Sequence, residues 1–258
     1  MYFKNITAFA AGLLLSATAL ANPIVPGFDS NGLPPNDDTS SGLVDIGFTA
    51  NFFGNEYSQL YVNNNGNITF DIPQIDYVPY GLTSTNKAII APFFADIDTR
   101  YVGNPVTYGV GIYDGQSAFG VNWVDVARFD HRAPSSGAPL NSFQLILVDR
   151  SNGDFDIVFN YGSIQWDTGS YSGGISAHAG WSTGAGESNS FYELAGSGVT
   201  GAFLDSGPNA LNGMTYVFEV RNGMVLQPTP SIPEPETYAM LLAGLCVVSA
   251  AAKRRRKA

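Results

Sequence analysis

The chain has 258 residues, a formal net charge of −10 and one cysteine. This length is enough to bury one substantial core, and the acidic charge argues against nucleic acid or anionic lipid as a partner. Because Cys246 lies inside an apolar C-terminal stretch, the remainder of the chain cannot form an internal disulfide, use a cysteine nucleophile or bind zinc through cysteine.

The first 21 residues have the pattern of a cleavable signal peptide. Lys4 precedes an apolar run from Ile6 to Leu20, which ends in Ala19-Leu20-Ala21. Signal peptidase accepts small side chains at Ala19 and Ala21, so we expect cleavage after Ala21. A permanent N-terminal membrane anchor is the alternative, but the run is short for a membrane span. Residues 22–42 are rich in Pro, Gly, Asp and Ser, which predicts an extended leader.

Residues 43–222 are predicted to form one all-β domain, either a sandwich or a barrel. Short apolar or alternating segments are separated by turn residues, as in the Asn-Gly turns, and no segment has a convincing apolar repeat of 3.6 residues. Roughly ten strands follow from this pattern. They are Leu43–Phe48, Gln59–Val62, Asn67–Ile72, Ala88–Phe94, Thr107–Tyr113, Ala118–Ala127, Phe143–Val148, Phe155–Tyr161, Ile175–Trp181 and Met214–Val220.

The clearest candidate for site chemistry is the pair Asp96 and Asp98 at the end of an apolar strand. Residues two apart on a strand share a face, and two carboxylates repel each other unless a cation or hydrogen bonds offset the charge. Arg100 is positioned to make a purely structural carboxylate–arginine cluster. The alternatives are a calcium site at Asp96 and Asp98, assisted by loop oxygens of residues 63–65, and a catalytic acid pair.

Other residues that often carry chemistry give weaker indications. His131 and His178 are far apart in the sequence and there is no nucleophile elbow, which argues against a Ser-His-Asp enzyme. Asp154 and Asp156 flank a turn, and we expect both to be solvated. Three tryptophans are candidates for stacking on sugars, but core packing is the first expectation for them: Trp123, Trp166 and Trp181.

A Pro-containing linker, residues 223–231, leads to a distinctive C-terminal segment, residues 232–258. Pro233-Glu234-Pro235 is followed by the uncharged stretch Thr237–Ala252 and then by five basic residues, Lys253–Lys257. The uncharged stretch would span about 24 Å as a helix, short of the roughly 30 Å hydrocarbon core. The basic cluster predicts that this end faces the cytoplasm and that the preceding chain is exported.

This order of motif, short apolar helix and basic cluster closely resembles the PEP-CTERM sorting signal of Gram-negative bacteria. The resemblance implies export across the inner membrane, transient anchoring, and removal of the helix by an exosortase, a membrane-embedded protease. It also implies delivery to the cell surface or to an extracellular matrix.

Several distinctive phrases occur in order within residues 43–222. The most distinctive is Ala91-Pro-Phe-Phe-Ala-Asp96-Ile-Asp98-Thr-Arg100, and the others are Phe52-Phe53-Gly54, Leu60–Phe70, Val121–Val126, Asn141–Leu147, Asp156–Tyr161, Ala179–Trp181 and Phe191–Ser197. Together these phrases resemble the NIDO domain, a nidogen-like extracellular module. The resemblance implies an extracellular interaction module of the kind associated with matrix or adhesion. The Cys-rich modules that usually accompany the domain are missing here.

Together these features predict a non-enzymatic surface protein acting in adhesion or in association with an exopolysaccharide or biofilm matrix. Its predicted partners are signal peptidase, an exosortase and matrix components, and calcium is the candidate cofactor. A secreted glycan-active enzyme with a carboxylate pair, and a structural surface protein without a specific ligand, are the alternatives.

Overall fold

The computed structural model describes residues 24–130, 137–170, 173–226 and 229–230. Within these residues the chain forms two β-sheets, one 3₁₀ turn at Leu82–Ser84 and no α-helix, so the predicted all-β sandwich is confirmed. No helix in this part of the chain is long and apolar enough to cross a membrane. The predicted signal peptide with Ala19 and Ala21, and the predicted sorting segment with Pro233, Glu234 and Pro235, lie outside the described residues.

The strands are numbered in chain order. They are β1 (Asn31–Gly32), β2 (Val44–Phe52), β3 (Asn55–Asn63), β4 (Asn67–Thr69), β5 (Ile89–Phe94), β6 (Ile97–Gly103), β7 (Thr107–Tyr113), β8 (Gln116–Arg128), β9 (Leu140–Asp149), β10 (Phe155–Ser163), β11 (His178–Ser182), β12 (Phe191–Glu193), β13 (Thr215–Arg221), β14 (Met224–Val225) and β15 (Thr229–Pro230).

Two antiparallel sheets make up the sandwich. Sheet A has the order β1-β7-β8-β9-β10-β13-β14, with β6 also paired to β8 and β15 to β13. Sheet B has the order β12-β11-β5-β4-β3-β2. The hairpin between β7 and β8 turns at Asp114-Gly115, where both φ angles are positive, and the predicted turn at Asn152-Gly153 joins β9 to β10. These turns suit residues that tolerate positive φ.

The main core lies between the sheets, and strand β10 shows how sheet A contributes to it. Phe155, Ile157 and Phe159 point into this core, as their alternation with polar residues predicts. The other face of β10 is also buried, since Val158 belongs to a second apolar cluster on the outer side of sheet A. The sequence predicts a half-buried strand, and the difference arises because another segment of the chain covers the outer face.

That covering segment is residues 24–33, called the N-terminal strap below. It lies within the predicted leader. Phe28 is completely buried against the outer face of sheet A, and β1 pairs with β7. Glycines create the groove for the ring, because an added Cβ would lie 2.4 Å from Phe28 at Gly120 and 2.8 Å from it at Gly111. The strap is therefore part of the packed domain.

A row of polar side chains, called the amide row, crosses the same outer face. Its members occupy directly opposite positions on five neighbouring strands: Thr107, Asn122, Gln144, Asn160 and Thr215. Side-chain hydrogen bonds of 2.7–3.1 Å link each member to the next. Such cross-strand bonds satisfy buried amides that would otherwise be costly.

The amide row also holds the strap. The Gln144 side-chain amide donates to the Val25 carbonyl at 2.7 Å and accepts from the Val25 N–H at 3.1 Å. Asn122 donates to the Phe28 carbonyl at 2.7 Å. Buried polar groups of the strap thus find partners on the sheet, which is the condition for a segment without regular structure to be buried.

The predicted linker likewise continues the sheet. β14 follows a tight turn and pairs with β13 at two positions, Val220 with Val225 and Arg221 with Met224. β15 pairs with β13 further back, at Tyr216 and Val217. The two short strands β14 and β15 therefore both lie antiparallel along β13.

Candidate functional site

Three aspartates from two distant parts of the chain meet at one end of the sandwich. Asp96 follows β5 directly, and Asp37 and Asp38 lie in the segment between β1 and β2. One carboxylate oxygen from each lies within 4.8 Å of the others. We call these three residues the carboxylate cluster. Sequence reasoning found Asp96 but missed Asp37 and Asp38, because their segment has the composition of a leader.

Asp98, the second predicted site residue, has a different role. Its two carboxylate oxygens accept from the Nε and Nη2 of Arg100, each at 2.9 Å. Its Oδ1 also accepts from the Arg100 N–H at 2.9 Å. Among the described residues Asp98 is not part of the carboxylate cluster. The structural carboxylate–arginine pair therefore exists, and it involves Asp98 rather than Asp96.

The cluster is partly enclosed by protein and has buried oxygens without hydrogen-bond donors among the described residues. Asp96 is 1% exposed, and its Oδ2 has no hydrogen-bond partner among the described residues. Asp37 is half-buried, with Oδ2 2.8 Å from Nη2 of Arg100, but its buried Oδ1 has no partner in the described part of the chain. Burying a carboxylate oxygen in this way is unfavourable unless a proton or a cation compensates it.

The electrostatics follow from this arrangement. The pKa of Asp96 is raised to about 7, chiefly by burial and further by the charges of Asp38, Asp37 and Asp98, against the opposing effect of Arg100. Burial and the same kind of repulsion raise the pKa of Asp37 to about 6. The pKa of Asp38 is also raised, chiefly by burial. The site as a whole favours added positive charge.

The turn at residues 63–65 braces the cluster. Asn64 donates to the carbonyls of Asp37 and Ile97 at 2.5 Å each. Asn65 donates to Oδ1 of Asp38 at 2.9 Å and accepts from the Ile97 N–H at 2.9 Å. The side chains of these asparagines are buried and are used as connectors between the two parts of the site.

Gly66 completes this turn. It is the one residue of positions 63–66 with a positive φ, at 74°, so the turn differs from the type I′ turn that Asn-Gly predicts. An added Cβ would lie 1.8 Å from the Phe93 carbonyl oxygen. The Gly66 carbonyl also accepts from the Phe93 N–H, so β5 and the turn are in direct backbone contact.

A separate open cleft of about 750 Å³ lies on the surface beside sheet B. Its walls are mainly apolar and aromatic, and residues 75–81, Ile175 and His178 line it. Ile75 is 62% exposed and Tyr77 38%. Concave, mostly apolar surfaces with a few polar groups are the usual form of ligand sites.

His178 brings a polar group to this cleft. Its Nδ1 lies 2.7 Å from Oε1 of Glu193, which also accepts from the Leu82 N–H at 2.8 Å. Burial raises the pKa of Glu193, but these hydrogen bonds outweigh burial and the net pKa lies below the usual value. His131 lies outside the described residues.

The remaining candidates are structural. Trp123, Trp166 and Trp181 are at most 5% exposed, so core packing is confirmed for them. The expectation that Asp156 is solvated is wrong: it is 4% exposed and lies 2.7 Å from both Arg150 and Arg221. Arg150 lies six residues before Asp156 in the sequence, whereas Arg221 lies 65 residues after it. Only the fold shows that both arginines converge on this carboxylate.

Comparison with known proteins identifies the domain. Residues 22–219 match the family described as NIDO related. The chain belongs to the NIDO-related family. It is similar to alpha-tectorin of Mus musculus, with 30% identity over 190 residues, and to nidogen of Drosophila melanogaster, with 26% identity over 219 residues. These alignments cover 64% and 73% of this chain.

Nidogen-2 of Mus musculus is 31% identical over 167 residues, which cover 53% of this chain. The matched regions make up only 9% of the tectorin, 16% of the fly nidogen and 12% of nidogen-2. This chain therefore corresponds to a small part of each of these relatives. No solved structure matches it.

A second match concerns the C-terminal segment. Residues 231–257 match the PEP-CTERM protein-sorting motif, which confirms the resemblance carried by Pro233, Glu234 and Pro235. The motif implies processing by an exosortase. An extracellular type of domain followed by this motif indicates an exported protein with a surface or extracellular location.

Proposed function

We propose that this chain is a non-enzymatic surface protein whose NIDO-related domain attaches to an extracellular polysaccharide matrix. The observation that carries the proposal is the order of the two matches, with the domain at 22–219 directly before the sorting motif at 231–257. The matrix or adhesion role implied by the family then belongs to a domain that is delivered outside the cell.

The chemistry of the described residues supports binding over catalysis. A glycosidase needs two carboxyl groups on either side of an accessible sugar linkage. Asp96 is 1% exposed and Asp98 is held by Arg100, so neither is placed to reach a polymer. The cleft beside sheet B is open and carries Tyr77 at its surface, and it is the surface we assign to ligand contact.

A retention assay tests the binding role. The exported protein is passed over immobilised polysaccharide from the matrix of its own host, and reducing ends are measured in parallel. We expect retention without new reducing ends, and a loss of about tenfold in affinity for Tyr77→Ala, equivalent to about 1.4 kcal/mol. Tyr101→Ala is the matched control, because Tyr101 is 61% exposed and does not line the cleft.

Two results would refute this function. If the unsubstituted protein releases reducing ends and Asp96→Asn abolishes that release, the protein is a glycan-active enzyme. Lack of retention on any matrix fraction would leave a structural surface protein without a specific ligand.

The route to the surface forms the second part of the proposal. In a Gram-negative host, the chain crosses the inner membrane, is held transiently by its C-terminal helix, and is released when an exosortase cleaves near Pro233-Glu234-Pro235. Mass spectrometry of the C-terminus of surface-located protein tests this route. We expect Lys253–Lys257 to be missing there and present in the membrane fraction. An intact basic cluster on the surface-located protein would refute cleavage.

A further inference from the structure

We propose that Asp37, Asp38 and Asp96 bind one Ca²⁺ ion that fastens the segment before β2 to the junction of β5 and β6. The domain would bind this ion whether or not it also binds a polysaccharide. Asp96 and Asp98 are the pair that the sequence suggests, and the geometry points instead to Asp96 with two residues almost 60 positions earlier.

The spacing of the three carboxylates fits a shared ion. Calcium binds oxygen at about 2.3–2.6 Å, so two oxygens on one ion lie no more than about 5 Å apart. The three ligand oxygens of the cluster lie within 4.8 Å of one another. Asp37 and Asp38 are half-buried, which leaves one side of the site open to water for the remaining ligands.

Acidic side chains often cluster without a ligand, and the buried oxygens are what distinguish this group. Asp96 is 99% buried, and its Oδ2 has no hydrogen-bond donor among the described residues. The buried Oδ1 of Asp37 likewise has no hydrogen-bond donor among the described residues. Each of these oxygens has lost its hydration without gaining a donor among the described residues, and a cation bound by the two carboxylates would compensate both.

The neighbouring arginine does not provide that compensation. The guanidinium of Arg100 forms two hydrogen bonds with Asp98 and one ion pair with Asp37. Four carboxylates, those of Asp37, Asp38, Asp96 and Asp98, thus surround one guanidinium. A divalent cation supplies most of the missing positive charge.

The donor set selects the kind of cation. All three side chains offer carboxylate oxygen, which suits a hard cation and not zinc or copper, whose sites are built from nitrogen and sulfur. Magnesium requires nearly ideal octahedral geometry with short bonds and retains most of its water. Calcium accepts irregular geometry and several carboxylates, and is therefore the ion we assign.

Calcium titration of the exported protein after treatment with a chelator tests the site. We expect one ion per chain and a rise in the melting temperature on the order of 5–10 °C at a calcium concentration of 100 times the Kd. Terbium provides a second readout, since the Trp123 indole donates to the Asn64 carbonyl beside the cluster. Its sensitised emission should appear on binding and disappear when calcium competes.

Substitutions separate an ion site from a structural carboxylate. Asp96→Asn should lower calcium affinity by at least about tenfold and should leave the chelated protein as stable as the unsubstituted one, because it removes a buried like charge. Asp167→Asn is the matched control: Asp167 is 3% exposed and its Oδ2 has no partner in the described residues, but it lies outside the cluster. It should retain the full calcium response.

Three outcomes would overturn the assignment. One is a melting temperature that is the same in calcium and in chelator. Another is an equal loss of calcium response in Asp96→Asn and Asp167→Asn. The third is a magnesium response as large as the calcium response at the same concentration, which would show a site without preference for calcium.

Discussion

At the scale of single residues, Gly66 has the least freedom to change. Its φ of 74° disfavours any L side chain, and a Cβ would lie 1.8 Å from the Phe93 carbonyl oxygen. Because that oxygen belongs to the backbone of a buried strand, it cannot move away without disturbing the core. The position therefore combines conformational strain with a clash.

We expect Gly66→Ala to lower the free energy of unfolding by at least about 3 kcal/mol, measured by urea denaturation. Gly54→Ala separates the two causes. Gly54 has a similar φ of 84° but no atom within 4 Å of the added Cβ, so we expect a loss of only about 1 kcal/mol. Equal losses of unfolding free energy at the two positions would show that the clash with the Phe93 carbonyl does not contribute.

The carboxylate cluster shows what can be predicted at this scale. Asp96 and Asp98 stand out in the sequence because they follow an apolar strand, and both occupy positions with strong electrostatic interactions. The sequence does not indicate which of them pairs with Arg100, because that depends on side-chain direction at the start of β6. Asp37 and Asp38 were missed because nothing local shows that their segment returns to Asp96.

At the scale of elements, the N-terminal strap depends on one aromatic ring and the groove that receives it. The three atoms nearest to a Cβ added at Gly120 all belong to Phe28, and Gly120 has no positive φ. A substitution at Gly120 therefore tests the fit of the ring rather than the backbone of β8.

The effect of a substitution at Gly120 on the free energy of unfolding should depend strongly on whether Phe28 is present. We expect Gly120→Ala alone to cost about 1–3 kcal/mol through overpacking, and Phe28→Gly alone to cost at least about 3 kcal/mol. In the Phe28→Gly background, Gly120→Ala should be neutral or slightly stabilising, because alanine suits a strand better than glycine. Denaturation of the unsubstituted protein, the two single variants and the double variant gives the coupling energy. Additive losses would contradict a specific packing of the Phe28 ring against Gly120.

Strand prediction succeeded where the apolar pattern was long. β7 lies at the predicted residues, and β8, β9 and β13 differ from prediction by a few residues at their ends, because alternation over six or more positions is a strong signal. β6 was not predicted as a strand, since it carries the charged residues Asp98 and Arg100 near its start and has no regular alternation. β1, β12, β14 and β15 have two or three residues each, too few to show a period.

At the scale of the whole molecule, the carboxylate cluster determines how stability depends on pH. An unfolded aspartate ionises near pH 3.8, whereas Asp96 and Asp37 in the fold hold their protons to about pH 7 and about pH 6. Between these limits the folded state binds more protons than the unfolded state, so the free energy of unfolding falls as pH rises. This loss of unfolding free energy is complete above the folded pKa values and is absent below pH 3.8.

Melting temperatures in a chelator between pH 5 and pH 8 should therefore decrease with increasing pH. Asp38, Asp98 and Arg100 also face Asp96, and Glu193, whose pKa is lowered, contributes only at the acidic end. Asp96→Asn should flatten the curve. A melting temperature that rises steadily from pH 5 to pH 8 in the unsubstituted protein would contradict the raised pKa values.

The order of the strands in the two sheets could not be read from the sequence. Hairpin neighbours such as β7 and β8 follow from short turns, but the pairing of β11 with β5 and of β13 with β10 joins strands that are far apart in the chain. The strap is a similar case, because its burial depends on glycines of β7 and β8 about 80–90 residues later.

The return of the chain along β13 has a mechanical consequence for a protein held by its C-terminus. Tension applied there reaches β15 and β14 first, and each is joined to β13 at only two positions, whereas β13 is joined to β10 at six. The short strands should peel away one after another and release residues 222–230, about 30 Å of extended chain, before the load reaches the sandwich. Single-molecule pulling would show this as an early extension step, and its absence would mean that the tail is as firmly held as the core.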